Sequence, residues 1–260
     1  MSGVKVDGVV SDAGSTNRKL WRELGICGKF DNLKNYIVHP MDEKRRIYFF
    51  TDAPHLIKTV RNRLHNNKTL KISPEKESIN WEHYITLHSN DLKNISKRVC
   101  PKITNRHLFL DSFSKMNVKL ATQVFSNSVS VGLKYYREIV QVKSLENSQE
   151  TEYFTKLFND IFDVLNRKFP AEGIRKYSKD FEILENALIF LDNWEHNLLK
   201  KKINESEFLT KQTVEGLRVS IKSTIELSNY LLDIGFHYVL SNKMNQDKLE
   251  VITKQFFGII

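Results

Sequence analysis

The chain has 260 residues, with 40 lysines and arginines against 31 acidic residues, a formal charge of +9 at pH 7. A hydrophobic share of 40% with 27% charged residues excludes a disordered tail and supplies enough apolar surface for a sizeable core. No run of 18 apolar residues occurs, which excludes a membrane-spanning helix, and two cysteines without metal-ligand spacing exclude a disulfide scaffold and a zinc ribbon.

The first residues, "MSGVKVDGVV", lack a signal peptide's charged-then-apolar layout, and the unpaired Cys27 and Cys100 suggest a reducing compartment. Residues 4–11, "VKVDGVVS", read as a strand rich in β-branched residues. Ser15–Leu24 follows as a short helix, capped by Ser15 or Thr16 and stopped by Gly25 or Gly28. Residues 36–39 and 47–51 are two further strands, the first closed by Pro40. From Pro54, "HLIKTVRNRL" sets His55, Ile57, Val60 and Leu64 on one helical face. An α/β layer of about 65 residues is therefore predicted at the start.

Beyond residue 78 the pattern becomes helical. "NWEHYITLHSNDL", "NRHLFLDSFSKMNVKLATQVFSNSVSVGLKYY", "TEYFTKLFNDIFDVLNRKF", "FEILENALIFLDNWEHNLLKKK" and "QTVEGLRVSIKSTIELSNYLLDIG" each carry an apolar stripe of helical period. Polar links such as "KSLENSQE" separate them. The last segment, "QDKLEVITKQFFGII", is amphipathic again, and its apolar end predicts continuation in a longer protein.

Known catalytic signatures are missing. There is no GxxxxGK[ST], GxSxG, HExxH, paired CxxC or EF-hand loop. His107 and His196 sit in helical patterns and read as satisfied imidazoles. The basic balance favours a polyanionic partner, because each cation docked on a phosphate releases counterions. "EKRR" and "LLKKKI" are nevertheless short runs, so an ordinary solvated basic surface is the competing reading.

Five blocks in order, "GVVSDAGSTNRKLWRELGI", "FFTDAPHLIKTVRN", "KMNVKLATQVFSNSV", "FNDIFDVLNRK" and "NQDKLEVITKQFFGII", resemble the P-element family of DNA transposases, which includes the THAP-domain transposases of animals. The resemblance implies an α+β fold in which an RNase H-like domain holds an Asp-Asp-Glu triad. A helical GTP-binding domain is inserted between the second Asp and the Glu. On this layout residues 1–68 are a partial RNase H-like domain, 69–243 the insertion and 244–260 the start of the returning helix. The first Asp would lie upstream of Met1, so the chain by itself is expected to be catalytically inactive.

The resemblance matches Asp12 to the second acid and Glu250 to the third, together holding Mg²⁺ for two-metal phosphoryl transfer. From the residues alone, Asp12 is equally an Asx turn or N-cap before the helix at Ser15. Asp52, after the strand "IYFFT", is the rival second acid or a turn initiator. Asp7 lies in the same strand as Asp12 but faces the opposite side.

For GTP the resemblance implies Asp163 and Asn166 in "FDVLN", Lys102 in "CPKIT", Val118, Ser126 and, one helical turn before Glu250, Asp247. Without it, Asp163 and Asn166 are polar positions opposite the apolar stripe of Phe158, Phe162, Leu165 and Phe169. The family also implies a nuclear protein and GTP as an architectural ligand; the basic surface adds DNA contact without sequence preference, and a homo-oligomer is compatible with both. The alternative is a helical interaction or repressor module that binds neither GTP nor metal.

Overall fold

The computed structural model describes residues 5–12, 14–94 and 97–246. They form a mixed fold of ten α-helices and seven strands, in two compact units. The first comprises residues 1–56, 163–189 and 211–260, the second residues 57–162 and 190–210. No helix among the described residues is long and apolar enough to cross a membrane.

The first unit is built on β1 (Gly8–Ser11), β4 (Tyr36–His39) and β5 (Asp42–Thr51), in the order β1-β5-β4. Between them come α1 (Ser15–Glu23) and a hairpin of β2 (Cys27–Lys29) and β3 (Asn32–Lys34). The hairpin is shorter than the windows in which alternation can be read, so its pattern did not announce it. β5 is longer than the predicted 47–51 because its first half, "DEKRR", is an exposed polar arm paired with β4. β1 and β5 run parallel, Gly8 facing Tyr48 and Ser11 facing Thr51.

Alternation along β5 sorts the core. Phe49 packs on one face with Ile26, Val219, Trp21 and Ile37, while Tyr48 and Phe50 pack on the other with Leu227, Val10 and Tyr36. Val219 and Leu227 both belong to the long helix Lys211–Asp233, so that helix reaches both faces. It does so by lying along the edge of β5, where the partner strand β4 has ended. There Ser220 Oγ accepts the Thr51 N–H at 2.8 Å and donates to the Thr51 carbonyl at 3.1 Å. Ser223 Oγ donates to the Phe49 carbonyl at 2.6 Å. Two side chains on a helix therefore satisfy ladder groups that would otherwise be buried without partners. The close approach is possible because Gly216, Ser220 and Ser223 fall four and three residues apart, on one helical face.

The second unit holds most of α2 (Ala53–Asn67), a short pair β6 (Thr69–Leu70) and β7 (Ile79–Asn80), then α3 (Trp81–Lys93). The long stripe predicted over 105–136 is broken into α4 (Asn105–Leu108), α5 (Ser112–Met116), α6 (Val118–Val124) and α7 (Asn127–Glu138). The breaks are capped by polar residues. Asp111 accepts the Ser114 N–H at 2.6 Å and Asn117 accepts the Leu120 N–H at 3.1 Å, each starting a new helix where periodicity alone would continue the old one. Most of α8 (Gln149–Leu165) and the end of α9 (Lys179–Leu199) belong to this unit, while α10 (Lys211–Asp233) is the long helix of the first. In this unit Phe154, Phe158 and Trp194 are wholly buried and form an aromatic chain with Phe125 and Phe208. Arg61, also wholly buried, donates to the carbonyls of Ser114 and Lys115 and closes the end of α5.

Candidate functional site

Two acids emerge side by side where β1 and β5 end, since the Asp52 N–H bonds the Ser11 carbonyl at 3.1 Å. In parallel sheets the crevice beyond the carboxyl ends of the strands is where ligands bind. The two acids do different work. Asp52 is buried at 6% exposure, with Oδ2 accepting the His55 N–H at 3.1 Å and Oδ1 the Gln246 N–H at 2.8 Å. It starts α2 and ties down the segment arriving at Gln246, so both oxygens are already engaged. Through the His55 N–H it initiates the turn into α2, one of the two roles expected for it.

Asp12 is exposed. Its Oδ1 accepts the Gly14 N–H at 2.8 Å and the Asn17 amide at 2.7 Å, and no described residue hydrogen-bonds Oδ2. These bonds, Gly14 first and then Asn17, hold the carboxyl below the usual carboxylate value against a smaller opposing effect of desolvation. The Asx-turn reading and the ligand reading are thus compatible: one oxygen shapes the turn, and the other is left outward. Gly14, rather than Ser15 or Thr16, is the N-cap of α1. With Asp12 already folding the backbone at Gly14, the helix starts without a side-chain cap.

Asn17→Ala removes the second donor, so the Asp12 pKa should rise toward 3.8, as read by carboxyl-carbon NMR titration. A depressed native pKa favours the fold above the unfolded value, and that contribution is lost as pH falls through the native one. The variant should therefore lose less stability than the parent between neutral and acid pH. An unmoved Asp12 titration would show that the turn does not tune this carboxylate.

Glu250 and Asp247 lie outside the described residues. Among the described ones no group of three or more His, Cys, Asp or Glu side chains is placed to hold a metal.

The nucleotide candidates fall in both units. In the second, Lys102 occupies an exposed turn closed by the Ile103 N–H on the Cys100 carbonyl at 3.0 Å, with Pro101 before it. The turn is anchored by Asp91, which is wholly buried. Asp91 Oδ1 accepts the Val99 N–H at 2.6 Å and the Tyr136 hydroxyl at 2.9 Å. Its Oδ2 accepts the Cys100 N–H at 3.0 Å, with Arg98 at 3.5 Å. Val118 opens α6, and Ser126 is the N-cap of α7 with a hydroxyl that makes no capping bond. Both are half-buried.

In the first unit, Asp163 is exposed on the last turn of α8. Asn166 follows the helix end and accepts from the Asn245 amide at 3.2 Å. Phe169, counted with the apolar stripe in sequence, is 63% exposed, because α8 ends at Leu165 and the stripe ends with it. His107 is the satisfied imidazole expected, with Nδ1 on Thr104 and Nε2 at 2.9 Å from Gln123.

Sequence reasoning missed Asn17, Asp91 and the serines of α10. Asn17 has a faint signal, an amide within reach of an acid that precedes a helix. Asp91 has none, since "HSNDL" looks like an ordinary helix end.

Residues 54–179 match the family described as TNP-like, GTP-binding insertion domain. The chain is 32% identical over 261 residues to the Transposable element P transposase of Drosophila melanogaster, covering 98% of this chain and 32% of that protein. It is 26% identical over 274 residues to the DNA transposase THAP9 of Homo sapiens, covering 99% of this chain and 29% of that protein. It therefore spans about a third of the length of these curated relatives. Its fold is similar to that in the Drosophila P element transposase strand transfer complex, at a TM-score of 0.79 and 28% identity over 97% of this chain and 55% of that one. With sequence and fold agreeing along nearly its whole length, the chain belongs to the P-element transposase family.

Proposed function

We propose that the chain serves DNA transposition in the nucleus as the central part of a P-element-type transposase. In this reading residues 1–68 and 244–260 are RNase H-like, residues 69–243 are the GTP-binding insertion, and α10 is the part of the insertion that packs on the sheet. The observation that carries it is the likeness, over 97% of the chain, to a transposase in a strand transfer complex.

Asp12 fits the role of a metal-holding acid: it is exposed, kept ionised, and has one carboxylate oxygen that no described residue hydrogen-bonds. Asp12 and Glu250 would hold Mg²⁺, which supplies activation of an attacking oxygen and stabilisation of a leaving one. Asn17 and Gly14 orient the carboxylate, and Asp52 holds the neighbouring strand end in place.

For GTP, Lys102 is a cation at an exposed turn with no ion-pair partner among the described residues, and Ser126 has a hydroxyl its helix does not use. Lys102 would meet a nucleotide's negative charge; taken by themselves in the first unit, Asp163 and Asn166 are an acceptor and a donor of the kind a guanine edge needs. Calorimetric titration should give saturable heat with GTP and little with ATP, and Lys102→Ala should weaken GTP binding about tenfold, the worth of one charge-assisted contact. Equal weak heats for both nucleotides would leave a helical interaction module in place of a guanine site.

A further inference from the structure

A cavity of about 710 Å³ in the first unit is lined by cations that no described carboxylate pairs with. Arg18 and Arg22 reach it from α1, Lys29 from the end of β2 and Lys211 from the start of α10. All four are exposed, and none forms an ion pair with a described carboxylate. Lys34 Nζ stands at the rim, 3.3 Å from where a Cβ on Gly25 would lie. Glu215 is the single acid among the lining residues.

Arg18 and Arg22 are one helical turn apart, a like-charge spacing that works against the helix unless an anion lies between. The neighbouring Lys19 is paired, with Glu23 at 3.9 Å, so α1 neutralises one cation and leaves the cavity-facing two open. Trp21 and Ile26 add an apolar wall between the charges. Guanidinium forks and ammonium groups around an apolar wall suit phosphates joined by sugars better than a small free anion. Ser15, which lines the same cavity, is three residues past Asp12, so the cavity adjoins the edge where that carboxylate emerges.

We infer that this cavity grips the phosphodiester backbone of a DNA strand and leads it to the Asp12 edge. The inference rests on the DNA-transposition reading and adds to it the place where the strand is held. The test is fluorescence anisotropy of a labelled DNA duplex with the whole chain over a salt series. Arg18→Gln/Arg22→Gln and Lys29→Gln/Lys211→Gln should each weaken binding about tenfold and reduce the salt slope by about 2, the share of two phosphate contacts.

Lys200→Gln/Lys202→Gln, which removes the same charge from the exposed basic run in the second unit, should leave both quantities unchanged. Equal losses in all three double variants, or wild-type binding by both cavity variants, would overturn the cavity while leaving DNA binding intact. No binding by the parent chain would overturn both. A loss of GTP heat in Arg18→Gln/Arg22→Gln with DNA affinity unchanged would assign the cavity to a nucleotide and overturn the inference as well. The four positions are exposed, so unchanged circular-dichroism melts are expected and separate binding from folding.

Discussion

Asp91→Ala is expected to destabilise the second unit by about 3–5 kcal/mol, the usual cost of breaking a buried charge network by removing one partner. The carboxylate is wholly buried and answers four groups: two backbone N–H donors, the Tyr136 hydroxyl and the Arg98 guanidinium. Alanine leaves all four without it, and each stranded N–H alone costs about 1–3 kcal/mol. Asp91→Asn should cost less, since its carbonyl oxygen can still accept while its amide opposes the remaining donor.

Urea unfolding followed by the fluorescence of Trp81 and Trp194 in the second unit reads the effect there, whereas Trp21 reports the first. Faster hydrogen exchange at Val99 and Cys100 should accompany it. The functional consequence lies in the turn they lead into. With one of the two amides released, Lys102 loses part of its fixed position, and GTP affinity should fall in Asp91→Asn by more than its stability loss explains. A folded Asp91→Ala chain with the parent's urea midpoint would remove Asp91 as the anchor of this turn.

The elements were largely legible, and their neighbours were not. Period and punctuation located α1, β4, α2, α3, α8, α9 and α10, because each has a long apolar repeat or a clear stop such as Pro40 or Gly25, whose φ is 70°. They gave no sign that α10 lies along β5, because that contact depends on Ser220 and Ser223, whose hydroxyls look in sequence like ordinary solvated polar groups. The same limit applies at the candidate site. Asp12 is visible as an acid between strand and helix, but the difference between it and Asp52 lies in which backbone amides reach each carboxylate. Those amides belong partly to Gln246, 194 residues away, which no local pattern encodes.

The contact between β2 and α10 should be the least tolerant point of the first unit. A Cβ on Gly28 would stand 2.3 Å from the Glu215 carbonyl oxygen and 2.6 Å from its Cα. Both are backbone atoms of a helix fixed on its far side by the serine bonds to β5, so neither can swing aside as a side chain would. Gly28→Ala is therefore expected to cost about 3 kcal/mol or more, at the upper end for overpacking. Ser220→Ala is the informative comparison, because it leaves the helix in place and strands only the buried Thr51 N–H and carbonyl, for about 1–3 kcal/mol.

The Trp21 signal should report both, since its ring meets Phe49 edge-on at 6.3 Å in the cluster that includes Ile26 and Val219. If Gly28→Ala pushes α10 off the edge of β5, the Ser220 bonds break in the same event. The double variant should then cost little more than Gly28→Ala alone, a non-additivity expected of groups that share one contact. Fully additive losses would mean that the hairpin and the serines hold α10 independently.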